Sequence, residues 1–400
     1  MKYLKMYMVM LMGVTITEFS FADIARWTDP ETGLEWTYWE YPSYSDWHDR
    51  VSIGGGDNTV PALPRTTSGR VIIPSEIAGK RVFDVGFHAF AYCDKITSIV
   101  IPPSVNSISA SAFLGCSALS SVGLPEGLKT IDMYAFKDCI QLKDLEFPAT
   151  IVEIGPEAFE NCKEIDRVEL PDGIERIGGF EYYTISESAF RGCTGIRDVS
   201  IAKSLSVGKL FGSCYTAITN VTVRGGEQIG PQDFKECAQL ERVFLPHGLQ
   251  SIGTEAFYKC KKLTELHIPA TVTNISAAAF EYCECVHELV LPECLSEIGR
   301  EAFGYCTGLV SVTMPTHLDK IENDLFIDCN ALSEVNIRDL NGWCSQDFPF
   351  FRANPLHYAH NGFVNNVCLT NLEIPNVTER IGTYAFSGVN VAFVLVPQSV

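Results

Sequence analysis

The sequence lacks the short motifs by which many catalytic sites are recognised. Its 400 residues contain no HExxH string, no GxSxG string and no glycine-rich phosphate loop ending in Lys-Ser or Lys-Thr. Histidine is scarce, and the one metal-like string, at Cys283, Cys285 and His287, has no second cluster to complete four zinc ligands. We therefore predict that the chain is not an enzyme and holds no metal or cofactor.

Positive charge is also scarce. The chain has 30 Lys and Arg residues against 49 Asp and Glu residues, and its formal net charge at pH 7 is −19. Such acidity argues against nucleic acid or an anionic membrane surface as a partner.

Only one apolar run has the features of a targeting segment. It extends to about Ile16, follows Lys2 and Lys5, and leads to small residues as far as Ala22. This order is typical of a signal peptide, and the run is too short to cross a membrane comfortably. We predict a signal peptide over residues 1–22 and a mature chain that is secreted or held at the cell surface without spanning the membrane. The alternative is a buried N-terminal segment.

Phenylalanine, in contrast, recurs at a fixed spacing, mostly 23 residues, with Ala usually before it and Cys three residues after it. A period between 20 and 50 residues predicts stacked repeats. The recurring positions are Phe90, Phe113, Phe136, Phe159, Phe190, Phe211, Phe234, Phe257, Phe280, Phe303, Phe326 and Phe386.

One complete unit shows how a coil is built. The string L-x-x-V-x-L at 119–124 predicts a short strand, and Pro125 ends it because proline cannot donate to a ladder. The string AFxxC at 135–139 predicts one face of a short 3₁₀ or helical turn. Neither segment can bury its apolar side chains alone, so neighbouring coils must stack.

The repeat resembles the BspA-type leucine-rich repeats of bacterial surface proteins and some protozoan parasites. The string LxxVxLPxxLxxIGxxAFxxC occurs almost unaltered at 240–260 and 263–283, and the resemblance extends from about Ile72 to the C-terminus. It implies an α/β repeat solenoid, a right-handed stack of about 12–13 coils with a parallel sheet on one face and short helical or 3₁₀ turns on the other. It also implies adhesion or interaction with host proteins or other microbes.

The Phe and Cys residues of the repeats predict a buried structural ladder. Stacked coils would place neighbouring cysteines about 4.8 Å apart with parallel Cβ directions, whereas a disulfide needs Cβ atoms about 3.8 Å apart, so we expect these thiols to be reduced. Cys344 and Cys368 lie outside the ladder and are candidates for a disulfide. The clearest ladder members are Phe113, Cys116, Phe136, Cys139, Phe159, Cys162, Phe257, Cys260, Phe280, Cys283, Phe303 and Cys306, and Cys214 belongs to a looser copy.

Composition divides the remaining chain into two parts. Residues 23–71 are rich in Trp and Tyr and predict a β-rich N-terminal cap, with an aromatic platform for sugar rings as the alternative. Residues 72–400 form the predicted solenoid, with insertions at 179–186 and about 338–368, and the chain ends in the middle of a repeat.

The outward-pointing strand residues are the candidate binding surface, expected to be concave. Most of them are Thr, Ser or charged, as on any solvated strand, but one is Phe244, and an exposed aromatic beside an arginine is typical of a binding hot spot. We predict a protein or cell-surface ligand as partner; the alternative is a structural spacer or an accessory repeat region of a larger surface protein or enzyme. The candidate residues are Arg242, Phe244, Glu265, His267, His287 and Glu288.

Overall fold

Each repeat forms one coil of a β-solenoid, and about 13 coils stack in sequence order. The computed structural model describes residues 24–41, 49–54, 60–178, 188–202, 210–211, 217–364 and 367–400. The predicted signal peptide, the insertion at 179–186 and Cys214 lie outside these residues.

The L-x-x-V-x-L segments form a set of parallel strands, which we call the strand wall. Side chains alternate along each strand, so that Val243 is buried while Arg242 and Phe244 on either side of it are exposed. Numbered in chain order, its strands are β4 (Gly69–Ile72), β7 (Ile96–Val100), β9 (Ser121–Gly123), β12 (Arg167–Glu169), β14 (Asp198–Ile201), β15 (Asn220–Val223), β17 (Arg242–Phe244), β19 (Glu265–Leu266), β21 (Glu288–Val290), β23 (Ser311–Met314), β25 (Glu334–Ile337), β26 (Gly362–Val364), β28 (Leu372–Glu373) and β29 (Val394–Leu395).

The strand wall consists of separate sheets. One contains β4, β7 and β9, the next runs from β12 to β19, another from β21 to β26 with β27 (Val367–Cys368) added antiparallel, and the last pairs β28 with β29. An isolated bridge between Ser121 and Asp144 follows the first sheet.

A second ladder, of two-residue strands, follows the strand wall in many of the coils, usually after a proline, and we call it the short-strand wall. Its isoleucines point into the core and pair in register from coil to coil. The strands are β8 (Ser107–Ile108), β10 (Thr130–Ile131), β11 (Glu153–Ile154), β13 (Arg176–Ile177), β16 (Gln228–Ile229), β18 (Ser251–Ile252), β20 (Asn274–Ile275), β22 (Glu297–Ile298) and β24 (Lys320–Ile321). One sheet ends at β13, and the next begins at β16.

The AFxxC segments form a third side, which we call the turn wall. Around Phe136, the N–H groups of Ala135, Lys137 and Cys139 close turns within their own coil, whereas those of Tyr134, Phe136 and Asp138 donate to carbonyl groups of the next coil. Tyr134 and Asp138 have left-handed φ angles of 59° and 61°. A helix needs successive right-handed residues, so the predicted helical or 3₁₀ turn is wrong for this repeat and for those built like it.

The class is therefore a β-solenoid and not the α/β solenoid that we predicted. The helices with defined bounds are short and lie in the second insertion: α1 (Leu340–Ser345), a 3₁₀ helix (Phe351–Ala353) and α2 (Leu356–Ala359). Asp339 caps α1, because its carboxylate accepts from the N–H groups of Asn341 and Gly342.

The turn wall carries the Phe and Cys ladder. Phe rings of adjacent coils stack, with centroids 4.9 Å apart for Phe113 and Phe136 and 5.1 Å apart for Phe257 and Phe280. Each Cys of the ladder is a free, buried thiol in the described coils. In most of these coils its Sγ–H donates to the Phe carbonyl of the preceding coil, as Cys260 does to Phe234 at 3.2 Å.

The N-terminal residues continue the short-strand wall. Strands β1 (Ile24–Thr28), β2 (Glu35–Glu40) and β3 (Arg50–Ile53) form an antiparallel unit, and β3 pairs in parallel with β6 (Lys80–Val85), which also pairs with β5 (Glu76–Ile77) and β8. Trp36 is fully buried and packs edge-on against Phe90, with centroids 6.3 Å apart. Tyr38 and Tyr41 are also buried, so these aromatics do not form an exposed platform for sugars.

A buried carboxylate joins this unit to the first coil. Asp84 accepts hydrogen bonds from the hydroxyl groups of Tyr41 at 2.9 Å and Ser52 at 2.8 Å. Burial nevertheless raises the pKa of Asp84 to about 6.

Cys344 and Cys368 do not form the predicted disulfide in this structure, where both are free thiols. Helix α1 turns Cys344 into a small buried cluster with Leu372 and Ile374, whereas β27 exposes Cys368 to solvent. The number of residues between two cysteines does not show in which direction each side chain points.

Candidate binding surface

The outward side chains of the strand wall form a regular surface, which we call the strand face. Its central row contains the residue after the buried Val or Leu of each strand. Register pairs align Thr222 with Phe244 on one sheet and Val290 with Thr313 on another. Because the spacing between strands is about 4.8 Å, each coil presents one side chain of the row to a partner.

The structure brings four of the six predicted binding residues together. Arg242 and Glu265 are register partners on β17 and β19, and Arg242 Nε lies 3.4 Å from Glu265 Oε1. Phe244 is 56% exposed, and His267 is exposed one coil further on. Both side chains are about half exposed, so both charges are accessible to a partner. An exposed ion pair of this kind contributes only about 0–1 kcal/mol to stability.

The other two predicted residues lie beyond a boundary between sheets. His287 and Glu288 are both exposed, but β21 begins a new sheet and is not paired with β19 in the described structure. They therefore share the surface with Phe244 without a continuous backbone ladder between them.

Two further exposed apolar side chains are not among the predicted binding residues. Val290 is 46% exposed in the central row, and Val310 is 38% exposed beside His287, whose carbonyl accepts from the Val310 N–H at 2.9 Å. An aliphatic residue in a strand is ordinary in sequence. The usable signal is the position of Val290 in the same repeat column as Phe244.

A comparison with protein families identifies the repeat. The family described as the BspA type leucine rich repeat region (6 copies) matches residues 84–184, 179–287, 227–345 and 358–400. The chain belongs to the BspA-type leucine-rich repeat family. A comparison with curated protein sequences gives no significant match.

Solved structures similar to this BspA-type chain include other bacterial repeat proteins. A leucine-rich repeat protein from Bacteroides ovatus is 23% identical with a TM-score of 0.41, over 80% of this chain and 94% of that one. The T. pallidum leucine-rich repeat protein is 25% identical with a TM-score of 0.39, over 57% and 88%. A leucine-rich cell surface protein from Faecalibacterium prausnitzii is 21% identical with a TM-score of 0.34, over 78% and 94%.

The C-x-C-x-H string of this BspA-type chain does not converge on one point. Cys283 is a buried ladder residue whose Sγ–H donates to the Phe257 carbonyl at 3.4 Å, and burial raises the pKa of its thiol. His287, in contrast, is exposed on the strand face. Over the residues that the structure describes, no group of three or more His, Cys, Asp or Glu side chains is arranged to hold a metal ion.

The helices that the structure describes in this BspA-type chain are short. Within the described ranges, none has the length and apolar content needed to cross a membrane.

Proposed function

We propose that this BspA-type chain binds a protein partner through the strand face, with Phe244 as the anchor, after export to the cell surface or the medium. The observation that carries the proposal is the exposure of Phe244. Its ring points away from the core, in a row where other coils place Gly123, Ser200 or Thr222. Stacking of the coils therefore does not require an aromatic side chain there.

The solenoid supports this role through its rigidity. A surface whose backbone is already held by ladders on several sides needs little ordering on binding, so more of the contact energy appears as affinity. Aromatic side chains beside arginine are the residues that most often dominate such interfaces. The predicted signal peptide supports a location outside the cytoplasm.

The test compares Phe244→Ala with the control variant Ser200→Ala, which changes the same row two coils earlier on the same sheet. Proteins captured by the wild type are purified and titrated against all three. We expect Phe244→Ala to weaken binding by at least about 1–2 kcal/mol, the hot-spot scale, and Ser200→Ala to have little effect. Equal affinities for the wild type and Phe244→Ala would reject the anchor and leave a structural spacer as the better function.

We infer structural roles for two other parts of the chain. The Phe and Cys ladder holds the coils in register, which is supported by the ring stacking and by the Sγ–H donation to backbone carbonyls. Strands β1 to β3 close the N-terminal end of the stack, which is supported by the burial of Trp36 against Phe90.

A further inference from the structure

The exposed apolar residues of the strand face are surrounded by carboxylates. Phe244, Val290 and Val310 lie on the coils of β17, β21 and β23. Three outward rows are formed by the two residues before the buried Val or Leu of each strand and the one residue after it. In these rows, over the coils from β17 to β25, the charged residues are all exposed: Glu241, Arg242, Glu265, Glu288 and Glu334. Four carboxylates and one guanidinium leave a formal net charge of −3 around the apolar residues.

Most of this charge is not neutralised by the chain itself. Arg242 contacts Glu265, but no ion pair among the described residues involves Glu241, Glu288 or Glu334. Between β12 and β15, in contrast, Arg167 and Arg224 both contact Glu169, and those outward rows carry no large exposed apolar side chain in the described residues.

We propose that the partner presents a cationic segment to this part of the strand face, with an aliphatic or aromatic side chain against Phe244 and Val290. The proposal rests on the proposed function and specifies its partner. The coils that carry Glu265 and Glu288 stack closely, with the ring centroids of Phe280 and Phe303 5.3 Å apart, so that Lys or Arg side chains of one extended segment can reach both carboxylates. Charge complementarity of this kind gives specificity and fast association, and it disfavours acidic partners.

The test selects short random peptides displayed on phage against the full chain and discards those that also bind Phe244→Ala. We expect the remaining peptides to carry net positive charge together with at least one aliphatic or aromatic residue. A selected peptide is then titrated against Glu265→Gln/Glu288→Gln. We expect its affinity to fall at least about fivefold at low ionic strength and its salt dependence to become shallower.

Matched removal of charge elsewhere separates site-specific binding from general attraction to an acidic protein. Asp144→Asn/Glu146→Gln removes two exposed carboxylates from the strand face in the N-terminal half and should leave the affinity unchanged. Equal weakening by both double variants would overturn the proposal.

The remaining outcomes distinguish the proposal from the function on which it rests. Peptides that depend on Phe244 but are neutral or acidic would overturn the cationic partner and leave the anchor intact. The absence of any peptide that depends on Phe244 would contradict both.

Discussion

The turn wall and the strand wall are built from the same repeat, but they differ in how many of their side chains are buried between the coils. On the turn wall, Ala, Phe and Cys are all buried, and alternate N–H groups bond within the coil and to the next coil. On the strand wall, every second side chain points to solvent. The stack fixes residue type on the turn wall and leaves it open on the strand face, so the strand face is where recognition can be encoded.

The contrast is visible at single positions. The buried turn-wall position is Phe in each described coil from Phe90 to Phe326. The central row of the strand face changes from Gly123 to Glu169 to Phe244. The predictions below probe this contrast, from the largest expected effect to the smallest.

The largest effect is expected from Phe257→Ala on the turn wall. Phe257 is fully buried and stacks on Phe234 and Phe280 at 4.9 and 5.1 Å. Removing a buried phenyl ring leaves a cavity, and we expect the free energy of unfolding to fall by about 3–5 kcal/mol. Urea unfolding measures the change, with Phe244→Ala as the control of identical chemistry. A loss below 1 kcal/mol would mean that the ring stack is not a main source of stability.

A smaller effect is expected from Cys260→Ala. The substitution removes the buried sulfur and the hydrogen bond to the Phe234 carbonyl, which together predict a loss of about 1–3 kcal/mol. The wild-type ladder should also react slowly with a thiol reagent in the native state, because burial raises the pKa of the Cys260 thiol and blocks access to it. Exposed Cys294 is the internal control. Equal reaction rates for the two thiols would contradict a closed ladder.

A third prediction concerns pH and Glu281, which lies on the turn wall beside Phe280. Burial first, and then the charges of Glu301 and Glu255, raise the pKa of Glu281 from 4.5 to about 7. The folded state therefore holds a proton that the unfolded state releases, and stability is lost as pH rises from about 4.5 to 7. We expect Glu281→Gln to remove this loss, on the order of 1–2 kcal/mol.

The comparison requires a control because Asp84, with a pKa near 6, contributes a loss of the same sign. Thermal unfolding of the wild type, Glu281→Gln and Glu288→Gln across this pH range separates the contribution of Glu281 from that of Asp84, which all three proteins retain. Glu288 is an exposed carboxylate of the strand face, and its substitution should reproduce the wild-type profile. Parallel profiles for the wild type and Glu281→Gln would reject the assignment.

The smallest effect on stability is expected from Phe244→Ala. The ring is 56% exposed, so its removal should cost no more than the cross-strand packing of a sheet surface, about 0.2–1 kcal/mol. Differential scanning calorimetry checks this against Phe257→Ala. Similar losses for both variants would remove the distinction between the two walls and assign Phe244 to the scaffold.

The period and the strands could be predicted from the sequence, but the geometry of the turn wall could not. Apolar alternation at 119–124 and the recurrence of AFxxC identify the coil and its inner face. The left-handed residues that flank each Phe are mostly not Gly: Glu255 and Lys259 have φ angles of 54° and 58°. Hydrogen bonds of Glu255 and Lys259 to the next coil hold these angles, and a single repeat does not show such bonds.

The candidate surface could be predicted from the alternation of side chains that also predicts the strand. Alternation places Phe244 outward once Val243 is inward, and its chemistry makes it noticeable. Val310 was not singled out, because an aliphatic residue beside a strand is ordinary in sequence. The second insertion was located by its length, but its helices follow from packing around Trp343, whose indole N–H donates to the Ala385 carbonyl 42 residues away.

The boundaries between sheets fall at different coils on the strand wall and on the short-strand wall. Where the strand wall changes sheet between β19 and β21, the short-strand wall is continuous through β18, β20 and β22, and the rings of Phe257 and Phe280 remain stacked. Where the short-strand wall changes sheet between β13 and β16, the strand wall pairs β14 with β15 and β15 with β17. Local separation of two coils at a break in one wall therefore meets a continuous ladder on another wall. We expect the stack to unfold as one cooperative unit.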